Sequence, residues 1–216
     1  MTTISEALSP MDGLACFNQM YCIVTERVRS AVVGGKTYSD PAFMTHLDVV
    51  FVNLYLSALD AFRIEPRTSP RCWSELFESH ADSRITRMQF AIAGMSAHIN
   101  HDLPIAVVRT CQELDTAPSL GSHAEDFERV NMILGSLEQS IRESFETGII
   151  LDFDRRTARV DNRFEDLAIH TARRAAWVNA GALWRLRDDL RLFRDYVEAL
   201  DLSASLAGRG LLVPLL

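Results

Sequence analysis

The run from Phe90 to Ala97 reads as a helix with no polar face, and it continues directly into His98-Ile99-Asn100-His101-Asp102-Leu103. A helix apolar on every side must be enclosed by other elements. It carries two of the six histidines and a carboxylate with it into the interior. Buried polar groups there must find partners or bind something. Helical spacing sets His98 and His101 one turn apart on one side, with Asp102 four residues after His98. Pro104 follows at once, so the helix must kink or restart there, freeing backbone groups beside His101 and Asp102. The chain is therefore expected to wrap several helices around a kinked, buried central helix beginning near Ser83.

The flanking sequence supplies those helices. Leu14, Phe17, Tyr21, Val24, Val28 and Val32 repeat at three and four, and Gly34-Gly35 stops that helix. Asp40 and Pro41 suit the cap and first turn of the next. Residues 42–62 are apolar nearly all round, which predicts a place at the centre of the bundle and makes Asp48 and Asn53 conspicuous. Arg71–His80 predicts a short helix with Cys72, Trp73, Leu76 and Phe77 inward. Residues 105–114 continue the central helix. A further helix over 122–146 opens on Ser122 and Glu125, spaced as a capping box. Asn162 and Glu165 repeat that spacing before a helix with Leu167, His170, Arg174, Trp177 and Gly181 on one face. The last helix spans about 186–200. There is no strand alternation and no internal repeat, and phosphate-loop, dinucleotide and nucleophile-elbow motifs are absent from the sequence. The expectation is a single all-α domain over 1–216, a bundle of six to eight helices. Residues 1–10 read as an extension and 201–216 as an apolar tail that packs back or joins a second copy.

Composition narrows function. The net charge is −7, against a general nucleic-acid binder. Arginines at 155, 156 and 159, and at 173 and 174, read as solvated helix surface. Lys36 is the only lysine, a mark of codon bias rather than chemistry. Cys16, Cys22, Cys72 and Cys111 form no C-x-x-C pair and predict buried thiols. Residues 1–10 carry Glu6 and no basic-then-apolar pattern, so a signal peptide is not expected, and the most apolar stretch, 42–62, is interrupted by His46, Asp48, Asn53 and Asp60. A cytoplasmic protein without membrane or nucleic-acid partners is expected.

The candidate site gathers Asp48, His98, Asn100, His101, Asp102, Asn131, Asp166 and His170, with Tyr55 and Trp177 as further substrate-binding candidates. Three chemistries compete. His98, His101 and Asp102 could ligate Zn²⁺ or Fe²⁺, joined by Asp48, Asp166 or His170, for a metal-dependent hydrolase or oxygenase. The same histidines, oriented by Asp102 and Asp48, could move protons without a metal in a cyclase or isomerase of specialised metabolism. Asn100 or Asn131 would then bind a substrate oxygen, and the substrate would be a hydrophobic small molecule. The rival is a non-catalytic binding or interaction protein in which the cluster is a structural hydrogen-bond network.

Gly94-Met95-Ser96-Ala97-His98-Ile99-Asn100-His101-Asp102-Leu103 resembles the hallmark of an uncharacterised bacterial domain family marked by A-H-I-N-H-D-L. Leu47-Asp48-Val49-Val50-Phe51 with Tyr55, Arg71-Cys72-Trp73, Asp126–Asn131, Ala176-Trp177 and Leu183-Trp184 are similar too. The resemblance implies an all-helical fold of about this length and carries no activity with it.

Overall fold

The computed structural model describes residues 4, 8, 9, 12–35, 37–134 and 169–214. Helix α1 spans Gly13–Val33, α2 Pro41–Ile64, α3 Arg71–Ser79, α4 Arg87–Ala97 and α5 Leu103–Glu113. A five-residue π-helical turn, His98–Asp102, joins α4 to α5. Residues 123–134 form α6, and α7 (Ile169–Leu186) and α8 (Leu190–Leu211) follow among the described residues. Among the described residues there is no strand. The protein is all-α.

Local chemistry starts and stops these helices. Asp40 Oδ1 accepts the Phe43 amide at 2.9 Å, and Pro41 takes the first turn of α2. Asp12 caps α1 in the same way through the Leu14 amide. At the other end of α1, Gly34 is the C-cap and Gly35 has a φ of +67°, the left-handed conformation that glycine adopts without strain. The central helix begins at Arg87 rather than near Ser83, because Thr86 and Gln89 form a reciprocal capping box. The pair expected at Ser122 and Glu125 is not one: the Ser122 hydroxyl donates to Asp126 at 3.0 Å.

The continuous segment α4–π turn–α5 is the core. Helices α1 and α8 pack on α4, α2 and α7 on α5, and α7, α8 and α2 all touch the π turn. Gly94 lets α1 approach closely: a Cβ there would stand 2.3 Å from Phe17 Cδ2. Helix α2, expected at the centre, lies instead at the edge. It is long and apolar enough by length and composition to cross a membrane, yet only 33% of its most apolar window is buried, and Val49 is 53% exposed. The short helix α3 buries Cys72, Trp73, Leu76 and Phe77, as the spacing predicts.

Helix α7 turns a different face inward. Arg173, Ala176, Ala180 and Leu183 are buried, while His170 and Arg174 are exposed. Two alanines let α7 lie close to its neighbours, and the face with the bulkier Trp177 is only half-buried. Helix α8 runs eleven residues past the expected end, so residues 201–211 of the supposed tail are helical. Beyond it, Leu212 is buried, and the Gln89 amide donates to the Leu211 and Val213 carbonyls at 2.8 and 2.7 Å. From the N-terminal extension, Ile4 and Leu8 pack against the core. The four cysteines form no disulfide. The arginines at 155–159, the Asn162–Glu165 pair, Asp166 and Leu167 lie outside the described residues.

Candidate active site

The site is built on the π turn. Pro104 has no N–H to donate and its ring crowds the preceding carbonyls, so the α-helical pattern cannot pass through it unchanged. The chain widens by one residue instead, and the Leu103 amide bonds the His98 carbonyl five residues back. Residues 98 and 102, four apart, stay on one side of the chain through this turn. His98 Nδ1 lies 2.8 Å from Asp102 Oδ2, and His101 Nδ1 lies 2.7 Å from Asp102 Oδ1. The Trp73 indole N–H, arriving from α3, donates to Oδ2 at 2.9 Å.

One carboxylate thus orients two imidazoles. Burial favours a neutral Asp102, but hydrogen bonds and charge from His101 and His98 overcome it and hold the carboxyl below its ordinary range. An ionised carboxylate only accepts, so each imidazole carries a proton on Nδ1. The two rings then diverge. Burial pushes the His98 pKa down, and Asp102 offsets only part of it. Burial also opposes charge on His101, but the hydrogen bond and charge of Asp102, with Asp201 farther off, raise it above the usual value.

His98 is fully buried in an aromatic shell. Phe51 stacks on it with ring centroids 3.5 Å apart and planes 3° from parallel, and Tyr21 meets it edge-on at 4.6 Å. Its Nε2, necessarily without a proton when the ring is neutral, has no hydrogen-bond partner among the described residues. His98 also lines a cavity of about 50 Å³, together with Tyr21, Thr25, Asp48, Met95 and Arg173 among others. That is room for a few waters or a small group of atoms. Burial raises the half-buried Asp48 to about 6. It raises Tyr21 well above the ordinary phenol, with the negative charges of Asp48 and Asp102 adding to the effect.

The other expected site residues go elsewhere. His101 is on the far oxygen of Asp102 and does not line the cavity. Asn100 donates to Ser96 Oγ at 3.2 Å and is half-buried. Asn131 is engaged at both ends by the protein: its Oδ1 accepts from Arg173 Nε at 2.8 Å and its Nδ2 donates to Glu128 at 2.7 Å. Tyr55 is buried in the aromatic shell, 4.9 Å from Trp73, and Trp177 packs on Phe127 at 4.5 Å. His170 is exposed on α7. Trp73 and Arg173 are the members that sequence reasoning missed. Trp73 reads as plain core, and the small residues Ala176 and Ala180, in register with Arg173, were the one signal that it faces inward.

Both Asp102 oxygens accept from N–H donors, so this carboxylate orients the imidazoles rather than offering a free ligand atom. Among the described residues no three His, Cys, Asp or Glu side chains are grouped to hold a metal ion.

Fold and site together define an all-α protein with a His–Asp–His cluster at a π turn. A family of unknown function (DUF5995) matches residues 1–214, and the chain belongs to it. No curated protein and no solved structure matches.

Proposed function

We propose that this protein is a small-molecule enzyme that moves protons without a metal, with His98 as its base. One observation carries the reading: His98 Nδ1 is committed to Asp102, while Nε2 is buried, unpartnered and part of a cavity-lining residue. An imidazole kept only for structure would be expected to satisfy both nitrogens. The lowered pKa keeps the ring neutral and able to accept a proton. A proton taken from a substrate C–H or O–H would sit on Nε2, and the imidazolium so formed would face the Asp102 carboxylate. Tyr21 stays protonated, so its hydroxyl can donate to a substrate oxygen as negative charge builds there. Asp48, at about 6, is placed to exchange a proton near neutrality. Removal of a proton at one atom and its return at another is isomerisation, and the same base serves a cyclisation. The mostly apolar wall, with Val24, Val28, Met44 and Leu47, suits a small substrate with an apolar body.

The test is hydrogen–deuterium exchange at carbon, followed by NMR in deuterated buffer over a panel of small carbonyl and hydroxyl compounds. Wild type is expected to exchange a subset of them, and His98→Gln to lose that exchange with its melting temperature kept. Nitrogen NMR of wild type should also show His98 protonated on Nδ1 and bare on Nε2. A proton found on Nε2 at neutral pH, or exchange that survives His98→Gln, would sink the proposal.

A further inference from the structure

The cavity lined by His98 is also lined by Arg173, a cation with no counter-ion among the described residues. Arg173 is only 6% exposed. Its Nε donates to Asn131 Oδ1 at 2.8 Å, and Nη2 donates to the Phe127 carbonyl at 3.0 Å. The Phe127 ring covers one face of the guanidinium, 4.2 Å from centroid to carbon. These partners are neutral, and no carboxylate of the described residues lies within ion-pair distance of Arg173. Glu128 is near enough to feel its charge, but that carboxylate is engaged by Asn131 and faces Arg174 at 3.5 Å. Burial accordingly drags the Arg173 pKa down to about 10.

A guanidinium has five N–H donors, and the two bonds to Asn131 and Phe127 leave three. A buried charge without a partner is costly and is seldom kept for stability alone. Asn131, the Phe127 carbonyl and the Phe127 ring fix the plane of the fork, so what remains is a rigid, flat, cationic donor set lining a small apolar cavity. A planar carboxylate matches that donor set with two parallel hydrogen bonds.

We infer that Arg173 anchors a carboxylate of the substrate, in the same cavity as the unpartnered Nε2 of His98. The substrate class is then a small monocarboxylate with a short apolar body. Its acidic C–H or O–H is the proton that His98 removes. The inference rests on reading this cavity as the active site, but the anion site can be tested apart from the proton chemistry. Asn131 acts as a positioning residue that holds the fork.

The experiment is calorimetric titration of wild type with acetate, propionate and isobutyrate, against propionamide and chloride at equal ionic strength. The carboxylates are expected to bind, with propionate and isobutyrate tighter than acetate and the neutral amide at least tenfold weaker. Arg173→Gln should lose the binding at least tenfold. Arg173→Lys keeps the charge without the fork and should lose it several-fold, which preserves the test if the glutamine variant fails to fold. The titration reads binding and no proton transfer, so a failure of the base in the exchange experiment leaves this result standing, and His170→Gln on the exposed face of α7 should bind carboxylate as wild type does. Carboxylates that bind no better than propionamide, or binding unchanged in Arg173→Lys, would overturn the inference.

Discussion

Helix α2 and the continuous segment α4–π turn–α5 reverse what hydropathy alone suggests. Helix α2 is the more apolar, yet it lies at the edge with Val49 and Ile64 exposed. The central segment contains Gln89, His98, His101 and Asp102, and all four are buried. The difference lies in partners. The Gln89 amide and the Asp102 carboxylate, both expensive to bury, have partners in reach: Gln89 on two carbonyls, and Asp102 on two imidazoles and an indole, while His98 Nε2 is the exception that marks the site. Helix α2 carries polar residues with no such partners inward, and Asn53 and Asp60 face water. Burial follows the supply of hydrogen bonds as much as apolar area.

Three measurements would break or sharpen that contrast. The largest effect is expected from Asp102→Ala, which leaves two imidazoles and the Trp73 indole without their acceptor. Removing one partner of a buried charged network costs about 3–5 kcal/mol, a large share of a domain's stability. Urea denaturation reads it, and a loss under 1 kcal/mol would show that the network does not hold the π turn together.

The second separates the two histidines by pH. The folded pKa of His101 is raised, so its contribution is present below the unfolded value of 6.5 and fades as pH rises through the folded value. The stability gap between wild type and His101→Gln should therefore be wider on the acid side of 6.5 than well above it. His98 has the opposite sign: its folded pKa is lowered, so stability is lost as pH falls below 6.5 toward the folded value. His98→Gln should flatten that acid loss. Equal pH profiles for the two variants would show that the imidazoles are not differentiated by their surroundings.

The smallest effect belongs to α2. Val49 is 53% exposed, so Val49→Lys should change stability by less than about 0.5 kcal/mol. A loss of several kcal/mol, or a new tendency to dissociate, would mean that this apolar face is covered in solution.

Much of the helical framework was legible because its causes are local. Asp40 with Pro41, the Gly34-Gly35 stop and the inward set of α3 depend on spacing within a few residues. The bond between His98 and Asp102 follows from the same logic, since residues four apart on a helix meet. Other caps are not local at all. Asp126 accepts the Ser39 and Asp40 amides at 2.9 and 2.7 Å, and so completes the start of α2 from a distant helix. Asp201 does the same for Arg71 and Cys72, both at 3.0 Å. In the sequence these two aspartates are indistinguishable from surface charge.

The sequence by itself determined that the chain is helical, where most of its helices begin, and that a His–Asp cluster goes into the core with the apolar run before it. Periodicity and capping are properties of neighbouring residues, so they are written in the order of the chain. Only the tertiary structure decided which apolar helix is central and which face of α7 is buried. It also decided that Trp73 joins Asp102 and that Arg173 shares a cavity with His98. Each of those outcomes depends on which hydrogen-bond partner arrives from another helix, and residue spacing along the chain does not encode that.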